Sequence, residues 1–147
     1  MSVDTEPGTA PLNLLLAKLA VTTLAPVLTD DRDLDWAVLN PDARAGEQPG
    51  LRRTREPTGA RLGRGAITNA DLVLVPALAV DHAGHRLGRG GGSYDRALMR
   101  VNAAATVLAV VHDDEVLDVV PSEPHDRSVD GALTPSGVLY FATAERD

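Results

Sequence analysis

Two continuous apolar runs constrain this chain most, Asp71–Val75 (Asp-Leu-Val-Leu-Val) and Thr106–Val111 (Thr-Val-Leu-Ala-Val-Val). Runs this short and unbroken are the pattern of strands buried on both faces of a parallel sheet. Between them lie a long Gly-rich connection and a helical stretch, Ser93–Ala104, expected to turn Leu98 and Met99 inward. Apolar strands alternating with helices predict an α/β fold with a mainly parallel sheet, one domain over residues 1–147.

The rest of the chain is read around that centre. Glu6-Pro-Gly-Thr9 is a turn and cap, and a helix follows over 11–20, with Leu12, Leu15, Leu16 and Leu19 at the spacing of a buried face. The spans 22–28 and 34–39 read as two strands of a hairpin around the turn Asp30-Asp-Arg-Asp33, with Trp36 packing over the core. Residues 40–65, rich in Pro, Gly and Arg, read as a surface loop. Shorter strands are expected at 116–120 and 138–142.

Composition narrows the function. The hydrophobic fraction is ordinary at 44%, and no apolar run is long enough to span a bilayer. No basic and apolar leader follows Met1, and a cytoplasmic protein is the expectation. Cysteine is absent, which removes disulfides and thiolate metal sites. A net charge of −7 argues against nucleic-acid and membrane-surface roles, since no basic face can neutralise phosphates. Lys18 is the one lysine, and most arginines fall between Arg52 and Arg100. Arginine's planar fork of donors suits a small phosphate-bearing ligand.

The segment Arg86-Leu-Gly-Arg-Gly-Gly-Gly-Ser-Tyr-Asp-Arg96 lies between the first apolar run and the helix. Residues without Cβ let backbone N–H groups converge on an anion, and Arg86 and Arg89 can add charge-assisted hydrogen bonds. The segment lacks the lysine of a P-loop and the third glycine of the dinucleotide fingerprint. By spacing alone, a phosphate cradle and a flexible connection both remain open. His82, His85, His112 and His125 have no zinc spacing and read as surface or turn residues.

Taken in order, these motifs resemble the 5-formyltetrahydrofolate cyclo-ligase family. The resemblance rests on Val75-Pro-Ala-Leu-Ala-Val-Asp81, Gly84, Arg86–Arg96, Val120-Pro-Ser-Glu-Pro-His-Asp126, Val129-Asp130 and Thr134–Val138. Upstream, Leu34-Asp-Trp36, Glu56-Pro-Thr-Gly59 and Ser2–Thr9 also fit, so it covers essentially the whole chain. Ser93 departs from the pattern, standing where relatives carry a tyrosine. The resemblance also implies that a basic N-terminal helix and a first strand would precede Met1.

What the resemblance implies is a three-layer cyclo-ligase (NagB/RpiA-like) domain with helices on both faces of the sheet. It implies an ATP- and Mg2+-dependent ligase that converts 5-formyltetrahydrofolate to 5,10-methenyltetrahydrofolate, ADP and phosphate, with no protein nucleophile. Arg86, Leu87, Gly88, Arg89, Gly90, Gly91, Gly92, Ser93 and Tyr94 would wrap ATP. Met1, Glu6 and the stretch Arg89–Ser93 would face the folate, and Asp95 and Asp126 would hold magnesium. Other readings are a weak or inactive remnant that binds nucleotide or folate, and a piece that needs another chain to complete its sheet. A monomer is expected, with self-association possible through an unpaired sheet edge.

Overall fold

The computed structural model describes residues 10–39 and 59–142. Helix α1 (Ala10–Lys18) leads into a hairpin of β1 (Leu24–Leu28) and β2 (Leu34–Val38), paired antiparallel from Leu28 against Leu34 to Leu24 against Val38. A 3-10 helix over Arg64–Asn69 leads to β3 (Leu72–Pro76). Then come β4 (Ala79–Asp81), β5 (Arg86–Leu87) and α2 (Ser93–Leu98). The chain continues through β6 (Thr106–Val110), β7 (Val116–Leu117), β8 (Gly131–Thr134) and β9 (Gly137–Tyr140).

The main sheet has the order β3-β6-β8-β9; the first three strands are parallel and β9 runs antiparallel to β8. A small second sheet, β5-β4-β7, gathers beyond the carboxyl end of β3. The two apolar runs therefore pair directly, Leu72 with Thr106 through Pro76 with Val110. The fold is mixed α/β with a parallel centre, as the alternation of strand and helix predicts.

Burial separates the two runs. In β6 Val107, Leu108 and Ala109 are all buried, as befits a central strand covered on both faces. In β3 Val73 and Val75 are buried but Leu72 is half exposed, because among the described residues β3 is the edge of its sheet. The core gathers Trp36, Ile67, Val73, Val75, Leu98, Val101, Val107, Val129 and Ala132. Enclosing the Leu98 side chain completely is worth about 2 kcal/mol of apolar burial.

Several expectations are corrected. The helix starting at Ser93 ends at Leu98, not Ala104. Asn102 turns the chain there: its side-chain oxygen accepts the Ala104 N–H at 2.9 Å, and its carbonyl accepts the Ala105 N–H at 3.0 Å. Leu98 is buried as expected, but Met99 is exposed, since Ala97, Leu98 and Val101 make the inward face. Leu15 on α1 and Leu19 just beyond it are exposed and do not form a buried face. Helical spacing marks a stripe, but burial needs an element lying over it. The strand expected at 116–120 is only Val116–Leu117, although Val120 beyond it is buried. Among the described residues no helix is long and apolar enough to cross a membrane.

Candidate functional site

The glycine segment is positioned from both sides. On its N-terminal side, Asp81 organises the β4–β5 turn. One carboxylate oxygen accepts the N–H groups of Ala83 (3.0 Å) and His85 (2.9 Å). The other meets His85 Nδ1 at 2.9 Å and accepts the Val120 N–H at 3.0 Å. Burial pushes the Asp81 carboxyl up, but the hydrogen bonds from Val120 and His85 outweigh it and hold the group below its ordinary value. The turn is thereby tied to the segment that leads to Asp126.

From that turn Arg86 enters β5 with its side chain buried. It donates to the Pro76 carbonyl at 3.2 Å and to Asp95 Oδ1 at 2.7 Å. Arg86 therefore links the end of β3 to the first turn of α2. Asp95 keeps almost half of its side chain in solvent.

Between them the chain passes through Gly88–Gly92. Gly90 (φ 86°) and Gly92 (φ 72°) take backbone angles that L side chains rarely adopt. Nothing lies within 4 Å of where a Cβ would stand on Gly90 or Gly91, so the loop presents bare backbone to open space. No side chain caps α2. At six residues, α2 is half the expected length and adds little dipole, so the loop's own amides and nearby cations must carry any anion binding.

On the C-terminal side α2 is held by the β1–β2 turn and by Arg127. Ser93 Oγ donates to the Arg32 carbonyl at 2.6 Å, as does the Arg96 guanidinium at 2.5 Å. Arg100 grips Asp33 with two bonds, 2.8 and 2.6 Å, and Arg64 adds a third at 3.2 Å. Led by the Arg100 bonds, these contacts hold the buried Asp33 carboxyl well below the usual carboxylate range. Arg127 donates to the Leu98 and Val101 carbonyls at the end of α2.

The residues expected from sequence fall into distinct places. Leu87 and Arg89 are exposed, while Tyr94 is half-buried and packs against the core. Asp126 has one oxygen accepting the Glu123 N–H at 2.7 Å and the other 3.7 Å from His125 Nε2. Met1, Glu6 and Glu56 lie outside the described residues. Of the histidines, His82 is exposed with its ring edge-on to Phe141, His85 sits on Asp81 and His125 is exposed beside Glu123. His112 caps the short helix at 113–115 through its backbone. Among the described residues no group of three or more His, Asp or Glu side chains converges, so no zinc-type cage is present. Asp95, with one oxygen engaged by Arg86, and Asp126, whose second oxygen has only the distant His125 ring beside it, still present hard oxygens of the kind that suit an ion completing its shell with water and phosphate.

Sequence reasoning assigns no role to Asp33, Asp81 or Arg127, although Asp81 closes one of the motifs that carry the resemblance. The Asp30–Asp33 cluster reads as a solvated turn, and nothing in it marks which carboxylate will be buried. Only the approach of Arg100 and Arg64 decides that.

The 5-formyltetrahydrofolate cyclo-ligase family profile matches residues 1–135. The chain is 44% identical over 138 residues to the 5-formyltetrahydrofolate cyclo-ligase of Mycolicibacterium smegmatis, covering 90% of this chain and 70% of that protein. It is 34% identical over 73 residues to the Escherichia coli K12 enzyme of the same name, covering 49% of this chain and 40% of that one. The fold matches the solution NMR structure of the Aquifex aeolicus 5,10-methenyltetrahydrofolate synthetase with a TM-score of 0.73 at 24% identity, over 100% of this chain and 72% of that one. An open glycine loop between the short strand β5 and the short helix α2 thus occurs here in a sequence that belongs to the 5-formyltetrahydrofolate cyclo-ligase family.

Proposed function

We propose that this chain catalyses the ATP- and magnesium-dependent cyclisation of 5-formyltetrahydrofolate to 5,10-methenyltetrahydrofolate, with release of ADP and phosphate. The observation that carries the reading is the bare Gly90–Gly91 backbone, open on one side, in a chain of this family. Such a loop lets amide N–H groups reach phosphate oxygens without obstruction.

The formyl oxygen attacks the γ-phosphorus and ADP leaves, giving an imidate-like phosphate. N10 then attacks the formyl carbon, phosphate departs, and N10 loses its proton as the ring closes. No protein nucleophile is required, so the chain's task is alignment and charge neutralisation. Gly88–Ser93 would hold the phosphates, with Arg89 at the outer end of the loop and facing the folate. Arg86, buried and bonded to Asp95, would fix the direction of that carboxylate. Asp95 and Asp126 would hold Mg2+, which when bound neutralises phosphate charge. Met1 and Glu6 would contact the folate.

The test is to add 5-formyltetrahydrofolate and magnesium-ATP to the 147-residue chain and follow methenyltetrahydrofolate absorbance. A rise requiring ATP, magnesium and Asp95 is expected, and no rise from a folded sample would overturn the reading. A second reading, that the chain needs a partner to complete its sheet, draws support from β3. It is a sheet edge among the described residues, and Leu72 on it is half exposed. Sizing across a hundredfold concentration range tests whether that partner is a second copy: a constant monomer mass rejects it.

A further inference from the structure

Within the five-residue connection between β1 and β2, Thr29–Asp33, hydrogen bonds from Arg32 N to the Thr29 carbonyl and from Thr29 N to the Asp33 carbonyl, both 2.9 Å, close a three-residue turn over Asp30–Arg32. Its third position is left-handed and belongs by preference to glycine or asparagine. Here it holds Arg32, at φ 64°. A long side chain is strained there, and strained non-glycine positions gather at functional sites.

Its location explains what the side chain could serve. The Arg32 carbonyl is 2.6 Å from Ser93 Oγ and 2.5 Å from the Arg96 guanidinium. That guanidinium in turn lies 3.1 Å from where a Cβ on Gly92 would stand. The Arg32 backbone is thus set against the C-terminal end of the glycine loop. The neighbouring arginines are committed: Arg64 and Arg100 to Asp33, Arg86 to Asp95, and Arg96 to the Arg32 carbonyl. The Arg32 side chain is exposed and has no hydrogen bond or ion pair among the described residues. In a chain of net charge −7 the loop Gly88–Gly92 carries Arg89 as its one cation, and a polyphosphate calls for more than one positive charge nearby.

We propose that Arg32 is a nucleotide-binding residue, its guanidinium closing over Gly90–Gly92 to pair with phosphate oxygens of bound ATP. This rests on the nucleotide-site reading and adds a cation from outside the glycine segment. Its signature is a separation of binding from stability, because Arg32→Gly relieves the left-handed strain while removing the charge.

Calorimetric titration of the full chain with magnesium-ATP and with magnesium tripolyphosphate, beside thermal unfolding, tests it. Arg32→Gly should melt at the wild-type temperature or above it. It should bind both probes roughly tenfold to a hundredfold more weakly, the loss of one charge-assisted phosphate contact. Arg32→Lys should recover most of that affinity. If wild type binds both probes and Arg32→Gly binds them equally tightly, Arg32 is excluded while the nucleotide site stands. If wild type binds neither probe, the site itself is rejected and this assignment with it.

Discussion

Asp33 and Asp95 are both held by arginine, but the two pairs are built in opposite senses. At Asp33 the carboxylate is sealed, 5% exposed at the side chain, and two guanidinium groups close on it from the surface. At Asp95 the guanidinium is sealed, with Arg86 also 5% exposed, while the carboxylate reaches solvent. A buried acid satisfied by two arginines has no capacity left for a ligand, so it serves to join segments distant in sequence. A half-exposed acid on a buried arginine keeps a fixed direction and a free oxygen. The contrast separates a residue that builds the site from one that can act in it.

The largest effect should come from breaking the sealed pair. Asp33→Ala leaves Arg100 without its partner and should lower unfolding free energy by about 3 kcal/mol, read by urea denaturation. A loss below about 1 kcal/mol would make the pair an ordinary surface bridge. Asp95→Asn should do the reverse. Its turnover should fall by roughly a hundredfold if the carboxylate holds magnesium, while the melting temperature hardly moves, since exposed pairs contribute little. Lost stability with intact turnover would invert the comparison.

Smaller effects sharpen it. Gly91→Val meets nothing in the free chain, so the variant should fold normally. Its branched side chain would stand where phosphate approaches, and KM for ATP should rise about tenfold, or about 1.4 kcal/mol. An unchanged KM would count against the cradle.

The smallest effect is acid sensitivity. The folded Asp33 carboxyl lies below its unfolded value, so its contribution is complete above the unfolded pKa of about 3.9 and is lost as pH falls towards the folded one. By pH 4 that amounts to less than about 0.5 kcal/mol, growing at lower pH. Asp31, Asp81 and Asp113 are lowered too and act with the same sign. Comparing the acid slopes of wild type and Asp33→Asn isolates the Asp33 share; identical slopes would deny it.

Particular residues show where sequence reading succeeds and where it stops. The β3 and β6 runs were legible because apolar continuity is a local property that parallel burial requires. The glycine loop was legible for the same kind of reason, since positive φ at Gly90 and Gly92 demands the missing Cβ. The helix end was less so: Val101 and Asn102 are weak stop signals, and the Arg127 contacts that finish α2 come from far along the chain. The strand at Gly131–Thr134 is not legible in the sequence, because four residues with a glycine carry little propensity of their own.

By itself, then, the sequence determined the two apolar strands at the centre and the loop without side chains, and left that loop open between a phosphate cradle and a flexible connection. Each depends on residue type within a short window. Tertiary structure alone decided which aspartate of the Asp30–Asp33 turn is buried, that Arg86 points to Asp95, and that the Arg32 carbonyl meets Ser93. It also decided that Leu15 and Leu19 stay exposed. The physical reason is common to all four. Burial and pairing are properties of what arrives from elsewhere in the chain, and a local pattern specifies a face without specifying its partner.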